Sequence, residues 1–181
     1  MSEYGTKLGP AEVRFERLLP GPIERVWEFV TESEPRSRWL AAGRMELHVG
    51  GKVELFFLHK NLAPDEAPPD AYRKVHEEGH QSFGRVTRCD PPRLLAFTWE
   101  DSEEKAASPD ANEVVIELAP RGERVLLTLT HRRLASHEEL VNVSGGWHTH
   151  LGLLEDVVSG RPRRPFWASH AKWEAEYRKR F

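Results

Sequence analysis

The sequence predicts an α+β domain in which a curved antiparallel sheet of about six to seven strands wraps around one long C-terminal helix. Three observations predict this class. Segments with alternating polar and apolar residues, typical of half-buried strands, occupy the middle of the chain. Short turns join several of these segments into hairpins, which favours antiparallel pairing. An amphipathic helix near the C-terminus then offers an apolar face for the sheet to cover.

The first elements are a strand and a pair of short helices. In EVRFERLL (12–19) apolar residues alternate with charged ones, which predicts a half-buried strand. Apolar residues at helical spacing predict a helix over 22–31, with a proline near its first turn. The segment PRSRWL (35–40) predicts a second helical turn that brings Trp39 and Leu40 into the middle of the domain.

The remaining strands are predicted as three pairs. They are MELHV (45–49) with KVELFFLHK (52–60), SFGRVTRC (82–89) with RLLAFTWE (93–100), and EVVIELAP (113–120) with RVLLTLTHRRL (124–134). Between the first two pairs, residues 61–81 carry three prolines and many charges, as a long exposed loop would. In the last strand Leu127, Leu129 and His131 share one face, because side chains alternate along a strand.

Two helices are predicted to close the chain. Over 146–159, Trp147 and Leu151 fall on one apolar arc and His150 lies beside it. A glycine ends this helix, and a second helix is predicted over 166–180 with an aromatic stripe that docks it on the domain. The predicted organisation is therefore a flexible N-terminus (1–11), one domain (12–160) and a basic helical extension that packs on it (161–181).

Composition restricts the class of protein. A chain of 181 residues, 39% of them hydrophobic, suits a single domain with its own core. The net charge of −3 argues against a general nucleic-acid binder. No apolar run approaches the roughly 18 residues that a membrane-spanning helix needs, the first residues do not resemble a signal peptide, and Cys89 alone forms no internal disulfide. We therefore expect a cytoplasmic protein that binds neither nucleic acid nor membrane.

The segment His76-Glu77-Glu78-Gly79-His80 matches the H-E-x-x-H spacing of zinc hydrolases. That motif chelates zinc only from one helical face, and Gly79 costs a helix about 1 kcal/mol relative to alanine. Prolines precede the motif, a strand follows it, and Glu100 is the only third ligand at a plausible distance. We therefore predict a solvated gate loop here, with no metal site and no cofactor.

Several phrases, in order along the chain, carry a resemblance to a known family. They are PGPIERVWEFVTE, GGKVELFF, GRVTRCDPPRLLAFTWE, RVLLTLTHRRL and GWHTHLGLLEDVVSG. Over about residues 12–160 the chain resembles the activator-of-Hsp90-ATPase-homologue C-terminal-domain-like branch of the START-like (SRPBCC, helix-grip) superfamily.

This resemblance implies a deep cavity between sheet and long helix. In the wider superfamily such cavities hold lipids, hormones or polyketides, a minority of members catalyse cyclisation or hydrolysis, and the eukaryotic members of this branch stimulate a chaperone ATPase. The branch shares no catalytic motif, so no catalytic residue is assigned. The chain departs from shorter members in its 60–80 loop and its 161–181 extension, both of which are placed to cap the cavity.

The predicted cavity wall combines aromatic and aliphatic residues with two histidines. They are Trp39, Leu40, Phe57, Phe97, Trp99, Leu127, Leu129, His131, Trp147, His150, Leu151 and Leu154. The alternative for each apolar residue is that it closes the core directly. The alternative for His131 and His150 is that each hydrogen-bonds a backbone group or the other histidine, rather than a ligand.

Three functions are compatible with this sequence. The leading hypothesis is binding of a small apolar or amphipathic ligand in the cavity without transforming it. One alternative is docking on a chaperone or other protein, through the sheet's outer face or the extension, which carries seven Lys or Arg against two Glu. The other alternative is a cyclase or hydrolase that uses His131 or His150. A half-exposed sheet is also compatible with a homodimer.

Overall fold

The computed structural model describes residues 3–181. Its strands are β1 (Thr6–Gly9), β2 (Glu12–Pro20), β3 (Lys52–Phe57), β4 (His80–Asp90), β5 (Leu94–Thr98), β6 (Glu113–Arg121) and β7 (Arg124–Arg132). Its helices are α1 (Ile23–Thr31), α2 (Ser33–Ser37), α3 (Arg73–Glu77), α4 (Glu103–Ala106), α5 (His137–Val158) and α6 (Phe166–Arg180), with 3-10 turns at His59–Asn61 and Asp70–Tyr72.

The strands of these residues form one antiparallel sheet in the order β1-β2-β7-β6-β5-β4-β3. The sheet curves around α5 without closing, which confirms the predicted fold class. Alternation within each strand decides which side chains reach the concave face. In the β2–β7 pair, for example, Phe15 lies opposite Leu129, and both are fully buried. The core therefore lies between the sheet and α5.

Helix α5 begins at His137, nine residues before the predicted start at 146. Ser136 accepts a hydrogen bond from the backbone N–H of Glu139 at 3.1 Å, and the Glu139 carboxylate accepts one from the backbone N–H of Ala135 at 2.6 Å. Ser136 therefore caps a free N–H group of the first helical turn, and the Glu139 carboxylate fixes the residue just before the cap. The prediction was wrong because two glycines, at 145 and 146, weaken the local helical propensity. Gly145 has a packing role: a Cβ there would lie 3.1 Å from the α6 backbone at Glu174.

The segment 1–11, predicted to be a flexible N-terminus, contains a strand among its described residues. β1 pairs with β2, with Thr6 opposite Arg14, and the backbone N–H of Gly5 donates to the Tyr177 hydroxyl at 2.6 Å. Residues 1–2 lie outside the described residues. The short, polar TKLG segment has no strand pattern of its own, so its conformation depends on β2 and α6.

Two other local predictions also need correction. The segment predicted as a strand over 45–49 forms only an isolated bridge, between Met45 and Val53. The predicted exposed loop over 61–81 contains α3, and His76 in that helix is buried. The loop is ordered by a distant contact, because the Glu66 carboxylate accepts hydrogen bonds from the first backbone N–H groups of α6.

A buried arginine holds the α2 region that positions Trp39 and Leu40. Arg36 is fully buried and donates to the backbone carbonyls of Thr31, Ala41 and Gly43. Burial lowers the pKa of its guanidinium to about 10. Because these carbonyls lie on both sides of residues 36–40, one guanidinium closes the whole turn.

Among residues 3–181, no helix is both long enough and apolar enough to cross a lipid bilayer.

Candidate functional site

A cavity of about 460 Å³ lies at one end of the trough between sheet and α5. Strands β3, β5 and β7 end there, strands β4 and β6 begin there, and the N-terminal half of α5 covers it. The predicted wall residues that line the cavity are Leu40, Phe57, Trp99, His131, Trp147 and His150. The structure therefore brings half of the predicted set together around one hollow.

The other predicted wall residues are packed in the core outside this cavity. They are Trp39, Phe97, Leu127, Leu129, Leu151 and Leu154, each with at most 1% of its surface exposed. These residues lie on the predicted inward faces, but they stand too far along their strands and helix to reach the cavity. Leu127 lies on the same face of β7 as His131, and Leu151 lies one turn along α5 from Trp147, both toward the filled end of the trough.

Ten residues that line the cavity are absent from the predicted wall. They are His59, Val75, His80, Ser82, Glu100, Asp101, Asn112, Glu139, Val143 and Gly146. Two polar members, Glu100 and Asn112, stand at the edges of predicted strands, and this placement is a signal that the strand assignment contained. His59 lies in the predicted strand 52–60 and, by alternation, on the same face as Phe57, so the strand assignment also contained a signal for it. Val75 comes from the 61–81 segment, and no local pattern predicts that this segment folds over the cavity.

His131 is a neutral imidazole with both ring nitrogens occupied. Trp147 Nε1 lies 3.0 Å from His131 Nδ1, and an indole N–H can only donate, so Nδ1 is the acceptor. The proton therefore resides on Nε2, which donates to Asn112 Oδ1 at 2.8 Å. Burial lowers the pKa of the imidazole to about 3. His131 is thus bonded within the protein, but to two side chains and not to the backbone group or second histidine that the alternative predicted.

The same network continues to the edge of the cavity. Glu100 Oε1 accepts hydrogen bonds from the backbone N–H of Asn112 at 3.0 Å and from its side-chain amide at 3.1 Å. A chain of hydrogen bonds thus links Trp147, His131, Asn112 and Glu100 across the wall. Each member holds the next in one orientation, which makes this part of the cavity rigid.

His150 has one nitrogen in use and one available. Its Nδ1 lies 2.7 Å from the carbonyl oxygen of Trp39, which can only accept, so Nδ1 carries the proton. Burial lowers the pKa of this imidazole to about 4, although the hydrogen bond to Trp39 opposes the shift. Nε2 is therefore an unprotonated acceptor, and among residues 3–181 no group donates a hydrogen bond to it.

His59 lies beside His150, with ring centroids 5.9 Å apart, and packs against Phe166 and Trp167 of α6. Burial, followed by the neighbouring imidazoles, lowers the pKa of His59 to about 3. Its Nδ1 is buried without a hydrogen-bond partner in the described chain. Because buried polar atoms are nearly always hydrogen-bonded, this nitrogen marks an incomplete part of the wall.

Stacked aromatic rings form the apolar part of the wall. The Trp99 ring stacks on Phe57 at 5.4 Å and on His131 at 5.9 Å, and it meets Trp147 edge to face at 5.4 Å. Rings that support one another in this way resist collapse into the hollow. The cavity therefore has flat, rigid apolar surfaces.

The H-E-x-x-H residues are divided between two elements. His76 belongs to α3, whereas Gly79, with φ of 84°, turns the chain and His80 begins β4. His76 Nδ1 accepts a hydrogen bond from Trp167 Nε1 at 3.2 Å, so this histidine joins the loop to α6. Across residues 3–181, no group of three or more His, Cys, Asp or Glu residues has a metal-binding arrangement.

An open antiparallel sheet that grips one long helix, with an aromatic-lined cavity at one end, defines the class of helix-grip proteins. Comparison with protein families gives the narrower assignment. Residues 20–159 match the family described as activator of Hsp90 ATPase homolog 1-like protein, and the chain belongs to this family. The resemblance predicted from the sequence is confirmed.

Solved structures show the same fold. The chain is similar to a Bordetella parapertussis protein determined by solution NMR, with 40% identity, a TM-score of 0.80, and coverage of 98% of this chain and 90% of that one. It also resembles CalU16 from Micromonospora echinospora, with 21% identity, a TM-score of 0.64, and coverage of 93% of this chain and 86% of that one. A conserved Enterococcus faecalis protein of unknown function is similar with 18% identity, a TM-score of 0.67, and coverage of 97% of this chain and 89% of that one. The last two similarities concern the fold alone. A search of curated proteins found no match.

Proposed function

We propose that this protein binds a small apolar or amphipathic molecule in the cavity without transforming it. One observation carries the proposal: a hollow of about 460 Å³ persists between sheet and α5, walled by mutually stacked aromatic rings. Small-molecule sites in proteins span about 300–1,000 Å³ and are mostly apolar with a few polar groups. The membership of the chain in a helix-grip family supports the same proposal.

The protonation states of the cavity histidines favour binding over catalysis. A general base works best when its pKa lies near the ambient pH, whereas burial lowers the pKa of His131 to about 3 and of His150 to about 4. His131 also has no free nitrogen with which to contact a ligand. A cyclase or hydrolase that relies on this pair is therefore less well supported.

Docking of a chaperone on the C-terminal extension is also less well supported. Many of its basic side chains are paired within the protein: Arg164 with Asp156 at 2.7 Å, Arg178 with Glu174 at 2.9 Å, and Lys179 with Glu176 at 3.4 Å. Such pairing leaves fewer basic side chains free to contact an acidic partner. We place the protein in the cytoplasm, as its lone cysteine suggests.

A glycine in the cavity wall allows a direct test. Gly146 lines the cavity, and a Cβ built there meets no atom within 4 Å. Gly146→Leu therefore places a side chain in the hollow while improving helix propensity by up to about 1 kcal/mol. Asn142→Leu, at an exposed position one turn earlier in α5, is the matched control.

The measurement is thermal shift and isothermal titration with an apolar fluorescent probe, together with native mass spectrometry of protein purified from cells. The wild-type protein and Asn142→Leu should bind the probe, and Gly146→Leu should lose binding while keeping its melting temperature. Equal binding by all three proteins would place the probe outside the cavity and overturn the proposal.

A further inference from the structure

We infer that the cavity takes an uncharged or amine-bearing molecule, and excludes anions, with a ligand hydroxyl or N–H donating to Nε2 of His150. This inference rests on the proposed function and specifies the chemical class of its ligand. It depends on three features of the wall: the signs of its charges, the free acceptor nitrogen of His150, and the aromatic faces beside that nitrogen.

The lining contains three carboxylates, and its only basic side chains are four histidines. Among its sixteen residues are Glu100, Asp101 and Glu139, and neither Lys nor Arg. A ligand carboxylate or phosphate that enters this site loses water and meets no cation in return, which is strongly unfavourable. Burial keeps three of the four histidines, His59, His131 and His150, neutral at neutral pH, and the fourth, His80, is exposed to solvent.

Two of these three carboxylates are not compensated by a basic side chain. Glu100 accepts its hydrogen bonds from the neutral amide groups of Asn112, and Glu139 accepts from the backbone N–H of Ala135. Asp101 differs, since Lys105 pairs with it at 2.9 Å. The wall therefore retains negative charge on two sides of the hollow, which attracts an ammonium group and repels an anion.

His150 determines where a ligand hydrogen-bonds. Only 8% of its side chain is exposed, and its Nδ1–H is committed to the Trp39 carbonyl. Nε2 then presents a lone pair in a mostly apolar wall, with no donor from the described residues. His131 does not compete for the same group, because both of its nitrogens are bonded within the protein. A ligand that lacks a donor leaves Nε2 buried and unpaired.

The aromatic faces suit the same ligand class. Phe57 and Trp99 stack on one another, and Phe57 lies 6.3 Å from His150 between ring centroids. A flat apolar body packs against these rings, and an ammonium group gains from their electron-rich faces where an anion does not.

Four probes with one naphthalene body separate these contributions: naphthylethanol, its methyl ether, naphthylethylamine and naphthylacetate. Naphthalene has no hydrogen-bond donor of its own, so only the side group varies. By isothermal titration at pH 7.5, the alcohol and the amine should bind at least roughly ten-fold more tightly than the acetate and several-fold more tightly than the ether.

Two variants locate the effects on named residues. Glu100→Gln keeps an oxygen that accepts from Asn112 and removes the charge, so it should reduce the difference between amine and acetate. His150→Phe should abolish the difference between alcohol and ether. If His150→Phe does not fold, the comparison of these two probes on the wild-type protein still tests the donor requirement.

The four probes distinguish a failure of the proposed function from a failure of this inference. No binding by any of the four probes would overturn the proposed function, and this inference with it. Acetate binding as tight as alcohol binding would overturn the charge preference while leaving the ligand-binding function intact. Equal affinity for alcohol and ether would overturn the role of His150 Nε2.

Discussion

Lowering the pH from 7 to 5 should destabilise this protein through histidines that are buried in the neutral form. His131 and His150 show the cause clearly, because both are almost fully buried and both contribute to the cavity wall. Their hydrogen bonds also favour the neutral form. A second proton on His131 Nδ1 would point at the indole N–H of Trp147, which is itself a donor.

The direction and the magnitude of this change in the free energy of unfolding follow from the pKa values of the two histidines. An exposed imidazole titrates at 6.5, whereas burial lowers the pKa of folded His131 to about 3 and of folded His150 to about 4. The unfolded chain therefore binds protons first, so the stabilisation is complete above pH 6.5 and is lost as the pH falls toward 4 and then 3. Protonation of the unfolded chain is worth about 1.36 kcal/mol for each pH unit below 6.5. The protein therefore loses about 2 kcal/mol of its free energy of unfolding for each of the two histidines between pH 7 and pH 5.

The assay is urea unfolding at pH 7, 6 and 5, with the free energy of unfolding compared between variants. His131→Gln retains an oxygen that can accept from Trp147 and an amide that can donate toward Asn112, but it does not titrate. The variant should be less stable than wild type at pH 7, and its loss of stability from pH 6 to pH 5 should be smaller by roughly 1 kcal/mol. His137→Gln, at an exposed position, is the control and should follow the wild-type dependence.

An unchanged pH dependence in His131→Gln would refute this reasoning. It would mean that the folded protein accepts the proton on His131 at pH 5, so that the Trp147–His131–Asn112 arrangement does not hold the imidazole neutral. A general loss of stability at pH 7 would not by itself count, because the amide side chain packs less well than imidazole.

Three further predictions concern single contacts. Trp147→Phe keeps the aromatic ring but leaves His131 Nδ1 without a donor, and should lower the free energy of unfolding by about 1–3 kcal/mol in urea. Glu66→Gln weakens the cap on the first N–H groups of α6, and should cost about 1 kcal/mol and increase amide hydrogen exchange there. Gly84→Ala places a Cβ 2.0 Å from a backbone carbonyl of β5 and should lower the melting temperature sharply, whereas Gly9→Ala meets no neighbour and should not.

Each of these predictions has a contradicting outcome. Unchanged stability in Trp147→Phe would show that water or another group satisfies His131. For Glu66→Gln, hydrogen exchange that rises equally in α5 and α6 would indicate global destabilisation in place of a lost cap. Similar melting temperatures for the Gly84 and Gly9 variants would mean that the β4–β5 pair adjusts at little cost.

Much of the fold could be predicted because it depends on the spacing of apolar residues that are close together in the chain. The alternation in 12–19 and 124–134 is enough to identify β2 and β7, and helical spacing is enough to identify α1 and α6. Patterns fail where a segment takes its conformation from a distant partner. β1 is a strand because β2 lies beside it, and the 61–81 segment is ordered because Glu66 reaches α6.

The candidate site was predicted less completely for the same reason. The alternation of side chains along β7 and the helical spacing along α5 place His131, Trp147 and Leu151 on the faces that point toward the core. Neither pattern indicates how far along the trough the side chains meet. Leu151 consequently closes the core, while Val75 enters the wall from the 61–81 segment, which has no apolar pattern.

The sequence by itself determined the fold class and the inward faces of sheet and helix, because periodicity is a property of residues close together in the chain. Only the tertiary structure decided that the hollow lies at the end of the trough, and that His150 retains a free nitrogen while His131 does not. Both depend on which atoms meet across different elements: His150 meets Trp39 from 111 residues away, and His131 meets Trp147 of α5 and Asn112 before β6, 16 and 19 residues away. No local pattern encodes such a meeting.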